Sequence, residues 1–157
     1  MKEQRINEPK DLSEHDELVQ EYNSLVANIE LQVVNLLSSR SVVTEANEGE
    51  QPDSVIIAPP GFRWRFSEDD RILQCGVKFE VRAIAPTDYG PLAVDVIVEY
   101  VLLYGLSNGD GTPTDQVAEK FAERNAVFNA WPFFREFAHS QVSRMGLPQI
   151  VIPLYRL

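Results

Sequence analysis

The sequence predicts an α+β chain, an antiparallel sheet with helices packed on one face. Two long segments, 73–85 and 92–106, carry apolar residues at every second position and are separated by the turn cluster PTDYGP. Three further segments, 14–27, 113–128 and 131–145, repeat apolar residues at helical spacing. The order is helix, three strands, two helices and a short closing strand. Strands that come in a run, joined by short turns, pair antiparallel.

The first helix is signalled by Ser13 as an N-cap, with Asp16 and Glu17 in the first turn and Leu18, Tyr22, Leu25 and Val26 on one face. Residues 1–12 read as a flexible N-terminus, leaving 13–157 as a single domain. From Ile29 the period changes to two. Ile29, Leu31 and Val33 share one parity, whereas Val34, Leu36 and Val42 share the other. A parity switch inside one strand is the mark of a bulge, so 29–44 reads as a long bent strand. TEANEGEQPDS is a polar loop.

The segment VIIAPPGFRWRF that follows is apolar around a Pro-Pro-Gly break, and reads as irregular chain lying on a surface or exposed as a sticky edge. In 73–85, Leu73, Cys75, Val77, Phe79, Val81, Ala83 and Ala85 alternate with Gln74, Lys78, Glu80 and Arg82, a half-buried strand with one wet face. In 92–106, Val94, Val96, Val98, Tyr100, Leu102 and Tyr104 line one face, and Ile97, Val101 and Leu103 thicken the other, which makes this strand more central.

Thr112, Pro113 and Asp115 read as the cap and first turn of the second helix. Trp131-Pro132 reads as a break or kink. Gly146 and Pro148 stop the third helix, with Arg144 in its last turn. QIVIPLYRL, with Ile150, Ile152 and Leu154 on one parity, completes a four-stranded sheet.

The balance of 24 acidic against 14 basic residues gives a formal charge of −10. That field repels phosphate backbones, which argues against nucleic acid as a partner, and it attracts positively charged polypeptides. No apolar run approaches the ~18 residues of a membrane span. The polar, acidic start is neither a signal nor a transit peptide, so the expected location is the cytoplasm. Cys75, the one cysteine, excludes an internal disulfide and a cysteine metal cluster.

WPFFREF concentrates four aromatics in seven residues. On a helix, Trp131, Phe134, Ala138, Val142 and Met145 form one stripe, while Phe133 and Phe137 lie off it. A helix covering one sheet needs only one stripe. The excess predicts burial on two sides, against the chain's own sheet and against a second copy; a broad one-sided stripe is the alternative.

The run WPFFREFAHSQVSRMGLPQIVIPL resembles the corresponding segment of the SecB family of export chaperones. The matching positions are Pro132, Phe133, Arg135, Glu136, Val142, Ser143, Arg144, Gly146, Pro148, Gln149, Ile150 and Ile152. Identities carry the resemblance over 131–153, and the pattern of elements extends it over 29–155. It implies a SecB-like four-stranded antiparallel sheet and a homotetramer built as a dimer of dimers. Trp131, Phe133, Phe134, Phe137 and Val142 would form the oligomer interface. It further implies an ATP-independent holdase for unfolded or export-competent polypeptides.

Two departures stand out. The usual family member continues into a further helix and an acidic tail that contribute to client binding and meet the SecA motor, whereas the sequence stops at Leu157, which puts SecA handover in doubt. The helix at 14–27 is additional. Shorter relatives act as stand-alone holdases or protect antitoxins of toxin–antitoxin systems, which leaves a dedicated partner such as an antitoxin as the alternative.

A holdase needs exposed apolar surface on a rigid frame and no reacting group. Val55, Ile56, Ile57, Phe62, Trp64 and Phe66 are the candidate client-binding residues; in the resemblance they match the connection that lines the client groove. Catalysis finds little support. His15 and His139 are the only histidines, and no phosphate loop or metal motif occurs. Glu80 with Asp95 or Glu99 reads as charge on a solvated strand face, not an acid/base pair. Cys75 lies on an apolar face and reads as core. No cofactor or metal is expected.

Overall fold

A computed structural model describes residues 10–107 and 111–156, with side chains from residue 13. The elements are α1 (Lys10–Asn28), β1 (Ile29–Glu45), β2 (Val55–Ile57), β3 (Gly61–Ser67), β4 (Ile72–Ala85), β5 (Leu92–Leu106), α2 (Asp115–Phe121), a π-helical turn (Ala122–Ala126) and α3 (Val127–Arg144). The strands form one antiparallel sheet in the order β1-β5-β4, with β2 and β3 both pairing the far side of β4. The α+β class and the helices packed on the sheet are as the sequence predicts. Residues 10–12, expected to be loose, already belong to α1; residues 1–9 lie outside the described residues.

Period two makes β4 and β5 the centre. Leu73, Cys75, Val77 and Phe79 of β4 and Val94, Val96, Val98, Leu102 and Tyr104 of β5 are buried on the helix-covered side. Facing them, Val117, Ala118, Phe121, Val127, Ala130, Trp131, Phe134, Ala138 and Val142 supply the helical stripe. Phe79 is the hub: its ring stacks on Phe134 at 4.6 Å and meets Trp131 edge-on at 5.4 Å. The opposite face carries charge, with Lys78 paired to Glu80, Arg63 to Glu99, and Arg82 to both Glu50 and Asp95.

Several expectations need correction. The closing segment is not a strand: 147–156 runs without regular secondary structure, outside the sheet. The fourth place in the sheet belongs to VII and GFRWRFS, which the sequence reading left irregular. Their pairing is long-range, and the Pro59-Pro60 pair, without amide donors, splits the edge strand in two without ending it. Trp131-Pro132 does not break the helix: α2, the π-turn and α3 are continuous. The missing Pro132 amide frees the Phe128 carbonyl, and both residues sit on the exposed side, open to solvent.

The cap of α2 is Thr114 rather than Thr112, and it is held from outside the helix. The Glu21 carboxylate of α1 accepts the Thr114 amide at 2.7 Å and its hydroxyl at 3.0 Å. With Leu25 buried and Tyr22 donating to Asn125, this docks α1 on the α2 end of the helix layer.

The parity switch in β1 is a bulge, as expected, and a second follows. The register skips Gln32 and Leu37 between Leu31/Val33 and Leu36/Ser38. Ile29, Leu31, Val34, Leu36 and Val43 thereby share the helix-side face, paired to Leu106, Tyr104, Leu102, Tyr100 and Val94.

Candidate functional site

The six residues singled out from 55–66 are placed by two short strands. Val55 and Ile57 pair with Ala83 and Val81, and Phe62, Trp64 and Phe66 pair with Val77, Cys75 and Leu73. Directly paired residues share a face, so these five point to the helix side of the sheet. Ile56 pairs with Arg82 and points to the charged side. Val55, Ile57, Trp64 and Phe66 pack partly buried against the core. Ile56, 56% exposed, and Phe62, 37% exposed, are the two left open to solvent. Among the described residues, the outer edge of β2 and β3 pairs with no further strand.

The loop between β1 and β2 is fastened by charge. Glu50 accepts from Arg82 Nε at 2.6 Å and Nη2 at 2.9 Å, and from the Asn47 amide at 2.6 Å. Arg82 also donates to Asp95 at 2.5 Å. Chiefly the Arg82 hydrogen bond, then the Asn47 amide, holds the Glu50 carboxyl down to about 2. Asp53, with a left-handed φ of 62°, donates its amide to the Ile84 carbonyl and closes the loop onto β4.

The aromatic helix divides into two groups. Trp131, Phe134 and Val142 are buried in the chain's own core, and Phe137 is half-buried against it. Phe133 is 46% exposed and leans on Tyr100 at 6.2 Å between ring centres. Tyr100 is the β5 partner of Leu36. Exposed Leu31, Leu36 and Val43 thus continue the surface from Phe133 across the sheet to β1, which the helices leave uncovered. Alternation in 29–44 predicts a long bent strand but carries no sign of which of its residues the helices cover, so this strip was not foreseen.

Arg135 and Trp131 tie the helix to the closing segment. Arg135 Nε donates to the Ile152 carbonyl at 2.9 Å, and Trp131 Nε1 donates to the Pro153 carbonyl at 2.9 Å. Tyr155 completes the contact, its ring 5.0 Å from that of Trp131.

The residues weighed for chemistry are engaged elsewhere. Glu80 is paired with Lys78, Asp95 with Arg82, and Glu99 with Arg63. Burial pushes the Cys75 thiol up to about 12, which keeps it protonated and unreactive at neutral pH. His15 and His139 are exposed on α1 and α3. Among the described residues, no group of three His, Cys, Asp or Glu side chains is arranged to hold a metal.

No protein-family model matches the chain, and no curated protein does. Among solved structures it is similar to a SecB-like chaperone of Mycobacterium tuberculosis in complex with a ChAD peptide from the HigA1 antitoxin. The TM-score is 0.65 at 16% identity, covering 88% of this chain and 99% of that one. A looser likeness, TM-score 0.41 at 7% identity over 80% of this chain and 97% of the other, is to a Streptococcus agalactiae protein of unknown function. No helix among the described residues is long and apolar enough to cross a membrane. The α+β architecture, with its split edge strand and long covering helix, is the SecB-like fold.

Proposed function

We propose that the protein is an ATP-independent holdase that binds unfolded polypeptide along the β2/β3 edge and the helix side of the sheet. The observation that carries this reading is the split edge itself. It offers a row of main-chain groups not used by another strand, next to Phe62 and Ile56, on a frame that Arg82 and Glu50 hold rigid. Main-chain pairing with an exposed edge recognises peptide without regard to sequence, and flanking apolar side chains add affinity. The net charge of −10 keeps such a surface soluble and favours basic clients. The fold shared with a chaperone solved with a bound peptide supports the same reading.

The strip from Phe133 through Tyr100 to Leu36 supports self-association, with tetramers as the SecB-like arrangement. The interface we propose keeps Phe133 and Phe137 from the expected set and adds Leu31, Leu36 and Val43, with Trp131, Phe134 and Val142 committed to the core behind it. The work proposed is in the cytoplasm.

The test is aggregation of an unrelated unfolded protein, followed by light scattering without nucleotide. Suppression that saturates at a fixed molar ratio, and that weakens in an Ile56→Ser/Phe62→Ser variant, is the expected result. No suppression at any ratio would overturn the general holdase. A second reading, a module dedicated to one partner such as an antitoxin, is favoured by the antitoxin peptide in the Mycobacterium structure. One tight partner with no competition from varied clients would select it.

A further inference from the structure

The segment 147–156 lies over the helix side of the sheet as a strap. Ile152 is 4% exposed and joins the core, with Leu147, Ile150 and Tyr155 packed partly buried against it. Val151 and Leu154, 79% and 73% exposed, point away. Among the described residues, 148–156 make no main-chain hydrogen bond to main chain. The strap is flanked by space on both sides. A cavity of about 360 Å³ separates Pro148–Val151 from Val55, Ile84 and Pro86, and another of about 480 Å³ lies between Gln149–Ile152 and Pro132, Arg135 and His139 of α3. It is held by buried Ile152, by the partly buried Leu147, Ile150 and Tyr155, and by the two carbonyl bonds from Arg135 and Trp131.

The chemistry of that grip does not depend on which side chains the strap carries at the gripped carbonyls. Both bonds are given by side-chain donors to successive carbonyls, and among the described residues no main-chain acceptor reads an amide of 148–156. Every residue has a carbonyl, proline included, and one of the two carbonyls gripped here is that of Pro153. A donor pair of this kind recognises extended chain of any sequence and tolerates proline, while the Ile152 pocket asks for one apolar side chain.

We propose that Trp131 and Arg135 form a peptide-binding shelf for extended apolar segments, that residues 149–155 are its resident occupant, and that clients compete with them. The proposal rests on the peptide-holding reading above and adds its regulation: the strap lowers client affinity until an incoming segment displaces it.

The probe is a labelled synthetic peptide of this chain's residues 148–156, PQIVIPLYR, followed by fluorescence anisotropy against the full chain. An Ile152→Ser/Tyr155→Ser variant should bind it at least tenfold more tightly than the wild type, and should suppress client aggregation at a lower molar ratio. Adding Arg135→Met, which keeps the stem but removes the donor, should cost the variant about tenfold in peptide affinity. Circular dichroism checks folding; if the double variant does not fold, Tyr155→Ser alone leaves Ile152 in the core and should show a smaller gain.

Equal peptide binding by wild type and variant overturns the proposal. So does tighter peptide binding with client suppression unchanged, which would make the strap purely structural. If aggregation suppression persists in both of those cases, the holdase reading survives without its regulation. If neither protein suppresses aggregation, the holdase reading falls, and the peptide measurement still decides the strap.

Discussion

The two edges of the sheet solve the same problem in opposite ways. β1 is one continuous strand of 17 residues, and its helix-side residues Leu31, Leu36 and Val43 stay exposed. The other edge is divided into strands of 3 and 7 residues, and its apolar residues Val55, Ile57, Trp64 and Phe66 tuck against the core. A long uncovered edge with apolar side chains invites another copy of itself; a short, interrupted one presents brief stretches of main chain that a flexible peptide can meet. The position of the long helix decides which is which. It crosses β4 and β5 and leaves Leu31, Leu36 and Val43 of β1 uncovered.

The largest test of this contrast is Trp64→Ala. A fully buried Trp loses about 3–5 kcal/mol on truncation, and half-buried Trp64 should lose about 2–3 kcal/mol. Urea unfolding should register this as a lower midpoint at constant slope. A loss under about 0.5 kcal/mol would mean that β3 is no more held than β1.

Leu36→Asp should leave the stability of a single chain nearly unchanged, within about 0.5 kcal/mol. It should instead lower the mass measured by analytical ultracentrifugation toward that of one chain. An unchanged mass would remove β1 from the association surface.

Acid should loosen the β2 side first. The folded pKa of Glu50, about 2, lies below its ordinary 4.5, so its stabilisation is fully present above pH 4.5 and is lost as pH falls toward 2. Amide exchange in β2 should therefore rise between pH 4.5 and 2 ahead of exchange in β1. Glu50→Gln should raise it at neutral pH and flatten that dependence. A wild-type β2 insensitive to pH in that window would separate the loop from the strand it is argued to hold.

The smallest effect concerns Gly76. A Cβ there would lie 2.6 Å from Arg63 Nε, because Arg63 lies flat over the glycine on its way to Glu99. Gly76→Ala should detach that ion pair. Exposed pairs are worth about 0–1 kcal/mol, so the change in stability should stay within that range. A double-mutant cycle with Glu99→Gln isolates it.

Much of the frame was legible from residue types. Alternation in 73–85 and 92–106 is enforced by the pleat, and it placed the core face correctly. The stripe Trp131, Phe134, Ala138 and Val142 was read correctly because helical spacing admits few other faces. Phe62, Trp64 and Phe66 also alternate with Arg63 and Arg65, a strand signal masked by the Pro-Pro-Gly break beside it. The pairing of Arg82 with Glu50 spans 32 positions and left no local trace. The exposed strip on β1 was hidden for a related reason, since apolar residues on a strand look the same whether or not a helix covers them.

By itself, the sequence determined the α+β class, the two central strands and the face they bury, because these follow from period and hydrophobicity alone. Only the tertiary structure decided which extended segment became the fourth strand. Ile150, Ile152 and Leu154 alternate as well as Val55 and Ile57 do, but the free side of β4 admits one row of partners. β2 and β3 occupy that row, and the closing segment is left on the helix side, held by Trp131 and Arg135 through its carbonyls instead of by a ladder. Local alternation specifies an extended chain; competition for main-chain partners assigns its place.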